Sequence, residues 1–389
     1  MNDGLLLALP VVLPALLFAA LGLAWLLDLR PSEAAVGRAT STCWALAVLA
    51  VAALVLGSLG GLPPPSVEFG RWFFGGGRHV TLALRADALS LVMLSLSASL
   101  VGIVAVFSRR YMHRDPGFHR FFILLNMFGA GVMLLFAAEP FELLAVGWEL
   151  VGAASVLLVA FYQQREAPAR GALRVLAAYR CADIGLLAGI ALLHHAHGAP
   201  SGATAAAVAF CFLFAAMGKS AQVPFSGWLP RAMEGPTPSS AIFYGALSVH
   251  AGAYLLLRAR PFLDASAWAA GAVVAVGALT ALQGALVGRT CPDAKTSLAH
   301  ATATQLGLIF VEIGLGWDVL ALWHIAGHAV LRTAQFLRAP SLLHDHHRLH
   351  SGAGGHLTSA GAPFGALLPR PFQDWLYGFA LDLRGRGLS

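Results

Sequence analysis

Runs of about 20 apolar residues recur along this chain, the length an α-helix needs to cross roughly 30 Å of hydrocarbon. No other feature constrains the fold as much. In lipid every backbone N–H and C=O must be paired inside the protein, so such runs become helices. Composition agrees: 58% of residues are hydrophobic and 11% charged, with a mean hydropathy of +0.72. A soluble domain carries about 25% charged residues. The expected fold is all-α, a polytopic membrane helical bundle.

About eleven spans are expected, near 4–27, 42–62, 86–108, 121–138, 141–162, 171–193, 203–223, 238–258, 266–288, 296–314 and 318–337. The first run is too long for a signal-peptide core and lacks a basic leader and a small-residue cleavage site, so it is expected to be retained. The seventh is expected to break at Pro224, because proline removes a backbone donor. The stretch 66–85 alternates and contains Gly75, Gly76 and Gly77, which predicts a short extramembrane hairpin. The segment 339–389 holds no run long enough to span. It opens on the histidine-rich LLHDHHRLH and ends in PFQDWLYGFALDLRGRG. The latter predicts a short amphipathic helix on the membrane surface or against a cytoplasmic partner.

Arginines set the orientation. With the N-terminus outside, the inner loops hold Arg30, Arg38, Arg109, Arg110, Arg114, Arg120, Arg165, Arg170, Arg174, Arg231 and Arg289. The outer loops hold only Arg71, Arg78, Arg85, Arg258 and Arg260. The positive-inside rule then puts the N-terminus in the periplasm and the C-terminus in the cytoplasm of a cell inner membrane. The pI near 9.5 reflects these loops and not nucleic-acid binding. Cys43, Cys181, Cys211 and Cys291 are scattered, which predicts buried free thiols instead of a disulfide frame or metal site.

Of the 25 basic residues only two are lysines, Lys219 and Lys295, and both lie in or beside apolar runs. Lysine loses its proton on desolvation far more readily than arginine. An ionisable residue at membrane depth costs roughly 2.5–3.5 kcal/mol and marks function by default. Glu149 lies mid-helix and needs a partner, for which Lys219 on another helix is the natural choice, as a relay or as a static ion pair. Arg180 and Asp183 are spaced to pair along one helix. His250, with Tyr244 before it, is a hydrogen-bonded core histidine or a relay member. His324, His328 and Arg332 recur at i, i+4 and i+8 on one face, with Lys295 and His300 on the preceding helix. Histidine titrates near neutral pH, so the stacked pair can relay protons. No third ligand or HExxH glutamate points to a metal.

The strings GWELVGAASVLLVAFY, AYRCADIGLLA, GKSAQVPFSGWLPRAMEGPTPSSA, DAKTSLAHATATQLGLIF and HIAGHAVLRTAQFL occur in that order. Together they resemble the antiporter-like, proton-conducting membrane subunits of respiratory complex I. Subunit L is the nearest member; Mrp-type antiporters, membrane-bound hydrogenases and the B subunit of the DAB inorganic-carbon transporter are relatives. The resemblance runs from about residue 80 to 338. It implies two inverted five-helix repeats, each with a broken helix. It implies that Glu149 is the carboxylate of a first half-channel, and Lys219 the central lysine that it modulates. Arg180 and Asp183 would be a polar pair near them, and Lys295, His324 and His328 the relay toward a second half-channel. Tyr244 stands where the family often has histidine, and Arg332 where it often has lysine.

The division expected is 1–120, an N-terminal part with the hairpin; 121–260, a first repeat; 261–338, a partial second repeat; and 339–389, a tail. The family's next broken helix, with its exit lysine, is not in the chain. A proton exit supplied by another subunit or by the tail is therefore expected. The function implied is a proton-conducting subunit of an NADH:quinone oxidoreductase-type assembly, moving protons through a buried Glu/Lys/His relay. No catalytic chemistry is expected in the chain itself, and no flavin, nucleotide or iron–sulfur motif occurs. The alternatives are the B subunit of a proton-driven inorganic-carbon transporter and a non-conducting membrane anchor. Partners are expected to be other membrane subunits and the lipid bilayer.

Overall fold

The computed structural model describes residues 3–75, 78–196, 201–291, 293–339 and 369–385. The histidine-rich patch lies outside them, as does most of 339–389. Helices dominate: α1 (Asp3–Leu26), α2 (Glu33–Leu59), α3 (Ala88–Tyr111), α4 (Phe118–Ala137), α5 (Phe141–Val159), α6 (Glu166–His195) and α7 (Gly202–Lys219) come first. The short α8 (Trp228–Arg231) and α9 (Thr237–Ser240) follow, then α10 (Ala251–Arg258) and α11 (Arg260–Asp264). Three long helices come next: α12 (Ala267–Gly288), α13 (Ala294–Gly314) and α14 (Asp318–Arg338). The last described helix, α15, spans Arg370–Gly385.

Nine spans among the described residues are long and apolar enough to cross a membrane. α13 and α14 are each 21 residues but are not among the nine. Lys295, His300, Gln305 and Glu312 on one, and Asp318, His324, His328 and Arg332 on the other, lower their hydropathy. They supply the tenth and eleventh rods of the bundle. The polar residues that weaken their membrane signature are the ones that build the site.

Burial ranks the spans. The segment Thr237–Arg258 is 100% buried across its apolar window and forms the axis of the bundle. α1 is only 22% buried and sits at the periphery. The core around the axis is aromatic, with Phe128, Phe136, Trp148, Tyr179 and Tyr254 fully enclosed. The axis is not one regular helix. Thr237–Ser240 is α-helical, Ala241–Ala246 is π-helical, Ser248–His250 is a 3-10 turn, and α10 completes it. π-helical insertions are rare and concentrate at functional sites.

The hairpin forms where alternation predicts it. β1 (Ser66–Gly75) pairs antiparallel with β2 (Arg78–Arg85), in the register Ser66↔Arg85 and Arg71↔Thr81. Asp87 caps α3 by accepting from the Ser90 amide at 2.9 Å. It also pairs with Arg258 at the end of α10, whose Nε donates to Tyr254 Oη at 2.9 Å. The Glu139 amide donates to Ala83 O at 3.1 Å. Next to Arg258, Arg260 donates to Ile313 O at 2.8 Å and Asp318 Oδ1 at 3.1 Å. These bonds gather the hairpin, the ends of α4, α10 and α13, and the start of α14 at one end of the bundle, the hairpin end.

The opposite end collects the arginine-rich loops. His113 meets Glu33 at 2.7 Å, His119 bonds Pro31 O at 2.7 Å, and Arg120 Nη2 donates to Phe161 O at 2.7 Å. α15 joins this end, where Arg384 Nη1 donates to Thr290 O at 2.6 Å. It exposes Phe372, Trp375, Tyr377, Phe379 and Leu381. All four cysteines are free thiols. Cys43 is buried as expected, but Cys181 is exposed, because it sits on the outer face of α6.

Candidate functional site

α7 ends at Lys219, at the break, where Ala221 takes a left-handed φ of 50°. Side chains satisfy the backbone groups that the break frees, as such a break at membrane depth requires. Ser220 Oγ donates to Val249 O at 2.6 Å, Thr280 Oγ1 accepts from the Val223 amide at 3.0 Å, and Trp228 Nε1 donates to Gly218 O at 2.9 Å. The first of these ties the break to the 3-10 turn that carries His250.

Lys219 is fully buried. Its Nζ donates to the Trp148 carbonyl at 2.8 Å and lies 4.7 Å and 4.4 Å from the ring centroids of Trp148 and Tyr179. Ring faces attract a cation and cost it less than aliphatic surroundings would. Gly152 makes the room: a Cβ there would stand 3.0 Å from Nζ. Lys219 does not pair with Glu149, which corrects the expectation from sequence. Glu149 pairs instead with Arg180, which also lies 2.8 Å from Asp183 Oδ2. The physical reason is reach. Arg180 projects from α6 toward α5 on the outer flank, where the Glu149 side chain is 42% exposed, whereas Lys219 is turned inward. Asp183 is the inner carboxylate, and its Oδ1 accepts from Trp148 Nε1 at 2.7 Å. The order is therefore Glu149, Arg180, Asp183, Trp148, Lys219.

Tyr179, whose ring covers Lys219, has its hydroxyl 3.4 Å from Ser248 Oγ, two residues before His250. Tyr244 is buried in the π-helical segment with no hydrogen-bond partner for its hydroxyl. From His250 a chain of bonds runs into α14. His328 Nδ1 lies 3.0 Å from His250 Nε2, and Arg332 Nε donates to His328 Nε2 at 3.4 Å. The His250 Nδ1 is bonded to Ala246 O. Arginine only donates, so His328 Nε2 accepts. In neutral rings the rest follows: His328 donates from Nδ1 to His250 Nε2, and His250 from Nδ1 to the carbonyl. Arg332 at one end and the Ala246 carbonyl at the other thus fix the same pair of tautomers.

His324 is placed differently. Its Nδ1 lies 2.8 Å from Glu312 Oε1 and its Nε2 lies 2.9 Å from Gln305 Oε1. The His324 and His328 ring centroids are 6.5 Å apart. Gln305 also lines a cavity of about 350 Å³ between α12 and α13. His300 is buried and faces α12, where a Cβ on Gly288 would meet its Cβ at 3.2 Å. No hydrogen bond joins His300 to the histidines of α14. Lys295 occupies the first turn of α13 and lines a cavity of about 380 Å³ with Tyr162, Arg165, Glu234 and Asp293 at the opposite end. Sequence reasoning missed Trp148, Tyr179, Gln305 and Glu312. Glu312 could have been found, because it is an acidic residue inside an apolar helix, the rule that singled out Glu149.

The transmembrane family described as NADH:quinone oxidoreductase/Mrp antiporter matches residues 138–354. The family described as the N-terminus of chain 5 of NADH-ubiquinone oxidoreductase (complex I) matches residues 72–122. NADH-quinone oxidoreductase subunit L of Mycobacterium tuberculosis (strain CDC 1551 / Oshkosh) is 36% identical over 313 residues, covering 76% of this chain and 49% of its own. NADH-ubiquinone oxidoreductase chain 5 of Rhizopus stolonifer is 35% identical over 317 residues, covering 78% and 48%. A chain of the Mrp complex from Dietzia sp. DQ12-45-1b superposes with a TM-score of 0.72 at 28% identity, over 84% of this chain and 36% of that one. The chain spans about half the length of these curated relatives. By fold, by the family match over residues 138–354 and by these relatives, the chain belongs to the NADH:quinone oxidoreductase/Mrp antiporter family of transmembrane subunits.

Proposed function

We propose that this chain conducts protons as a membrane subunit of a complex I-like assembly, in an inner membrane with its hairpin end toward the periplasm. Lys219 carries the first proton-holding position. Asp183 and the Glu149–Arg180 pair bias it from the outer flank, and His250, His328 and His324 extend the path into α14. Redox chemistry belongs to partner subunits, and other membrane subunits cover the flank where Glu149 and Arg180 are half exposed.

One observation carries the reading. Lys219 is fully buried, with one oxygen acceptor and two ring faces around its ammonium group, and among the described residues no carboxylate lies within ion-pair distance of it. A permanent structural pair would hold a carboxylate against it, because an unpaired buried charge is expensive. This arrangement serves the charged and the neutral amine alike. The test uses the purified assembly in proteoliposomes with an internal pH dye. Lys219→Ala is expected to lower proton flux about a hundredfold while the assembly still forms, the scale of a lost proton-transfer group. Normal flux in that variant would overturn the reading.

A further inference from the structure

We propose that Glu312 and His324 form a proton-carrying pair that ends the histidine series at the hairpin end of this chain. The inference rests on the proposed proton conduction and adds a site to it. Glu312 lies in the last turn of α13, one residue before Ile313, whose carbonyl is held by Arg260 at the hairpin end. Its side chain is 15% exposed and that of His324 21%, so the pair is largely withdrawn from its surroundings yet not sealed.

Three features mark the pair as a place where a proton comes and goes. First, Glu312 Oε1 and His324 Nδ1 are 2.8 Å apart, a distance across which one proton is shared. Transfer from Nδ1 to Oε1 turns an imidazolium–carboxylate pair into a neutral imidazole and a carboxylic acid, with no other bond broken. Second, Gln305 faces the other nitrogen, 2.9 Å away. Its amide offers an oxygen to a protonated Nε2 or, after rotating by half a turn, an N–H to a bare one. His324 is therefore satisfied in both charge states. His328 lacks this freedom, because Arg332 can only donate to its Nε2. Third, Glu312 Oε2 is buried with no hydrogen-bond donor. Such an oxygen has an open lone pair for the proton, where most buried polar atoms are matched. The His324 and His328 ring centroids are 6.5 Å apart and all four ring nitrogens have other partners, so a proton passes between the two rings only when one of them turns.

The experiment is the proteoliposome flux assay on the purified assembly with Glu312→Gln, Glu312→Asp and Lys219→Ala in parallel. Glutamine keeps an acceptor oxygen for His324 Nδ1, so a purely structural hydrogen bond survives the first change. Glu312→Gln is expected to lower flux at least about tenfold, and Glu312→Asp, which keeps a carboxylate, to retain most of it. A second measurement does not depend on flux. pH-difference infrared spectra of the folded assembly should contain a protonated-carboxyl band that Glu312→Gln removes. If Lys219→Ala abolishes flux while Glu312→Gln conducts normally, the Glu312 site is wrong and conduction through Lys219 stands. Equal loss in the Gln and Asp variants, with the infrared band unchanged, would reduce Glu312 to a packing role and also overturn it. Normal flux in Lys219→Ala would remove the reading on which the site rests.

Discussion

At the scale of the residue, the most consequential position is a missing side chain. Gly152 leaves the space that the Lys219 ammonium occupies. Gly152→Ala is expected to push Nζ away from the Trp148 carbonyl. The lysine tip is flexible, so the thermal midpoint should move by no more than about 1 kcal/mol equivalent, while proton flux falls several-fold. Unchanged flux would mean that the contact is incidental. Arg332 gives a second prediction. Nitrogen-15 spectra of labelled histidine should find His328 and His250 neutral and protonated at Nδ1. Arg332→Met should leave both at Nδ1, because the Ala246 carbonyl still holds His250, and a fixed Nε2–H form in the unaltered protein would refute the assignment. These residues also mark what a sequence reveals. Lys219 was legible because a lysine in an apolar run is costly wherever the helix points. Its relation to Glu149 was not. Which of two cations a carboxylate meets depends on the face each helix turns to its neighbour, and that is set by the glycine contacts between α6 and α7. Gly218, for example, lies against Ala182, and Gly185 against the Cys211 carbonyl.

At the scale of the element, the Asp87–Arg258 pair is an ionic clasp on the hairpin end. Burial pushes the Asp87 carboxyl up, but the Arg258 guanidinium and the Ser90 amide outweigh it and hold it below the ordinary value of 3.8. A depressed carboxyl stabilises the fold fully above that ordinary value, and the stabilisation is lost as pH falls through the folded-state value. Thermal unfolding in detergent should therefore show a drop in midpoint on acidification that Asp87→Asn reduces. Asp87→Ala should cost about 1–3 kcal/mol at neutral pH, because it leaves Arg258 with its charge unmatched. The hairpin itself was legible from alternation and glycines. The π-helical segment 241–246 was not, since its residues AIFYGA hold no proline and a lone glycine inside a helical pattern does not announce an extra residue in the turn. It exists because α14 packs close along it: a Cβ on Gly245 would stand 3.4 Å from Arg332 Cβ. Deleting one residue from 241–246 would let the segment rewind as α-helix and turn everything beyond it by about 100°. His250 would then leave His328, and the deletion should abolish flux although every relay side chain remains.

At the scale of the molecule, the arginine loops and the hairpin sit at opposite ends of the bundle. The loop charges and the contacts agree on this division because both follow from the same alternation of spans. A cysteine placed at exposed Phe69 is expected to react with a membrane-impermeant thiol reagent from the periplasmic side. Labelling only from the cytoplasm would reverse the orientation. The long helix α13 then acquires a further meaning. It carries Lys295 in its first turn and Glu312 in its last, seventeen residues apart, or about 26 Å at 1.5 Å per residue. That is close to the roughly 30 Å over which a membrane's voltage falls. A proton passing between the two ends would cross nearly the whole electric field, about 2.3 kcal/mol for each 100 mV. One helix would then act as the plates of a capacitor, and the membrane potential would weight the two ends of the path without moving any part of the protein.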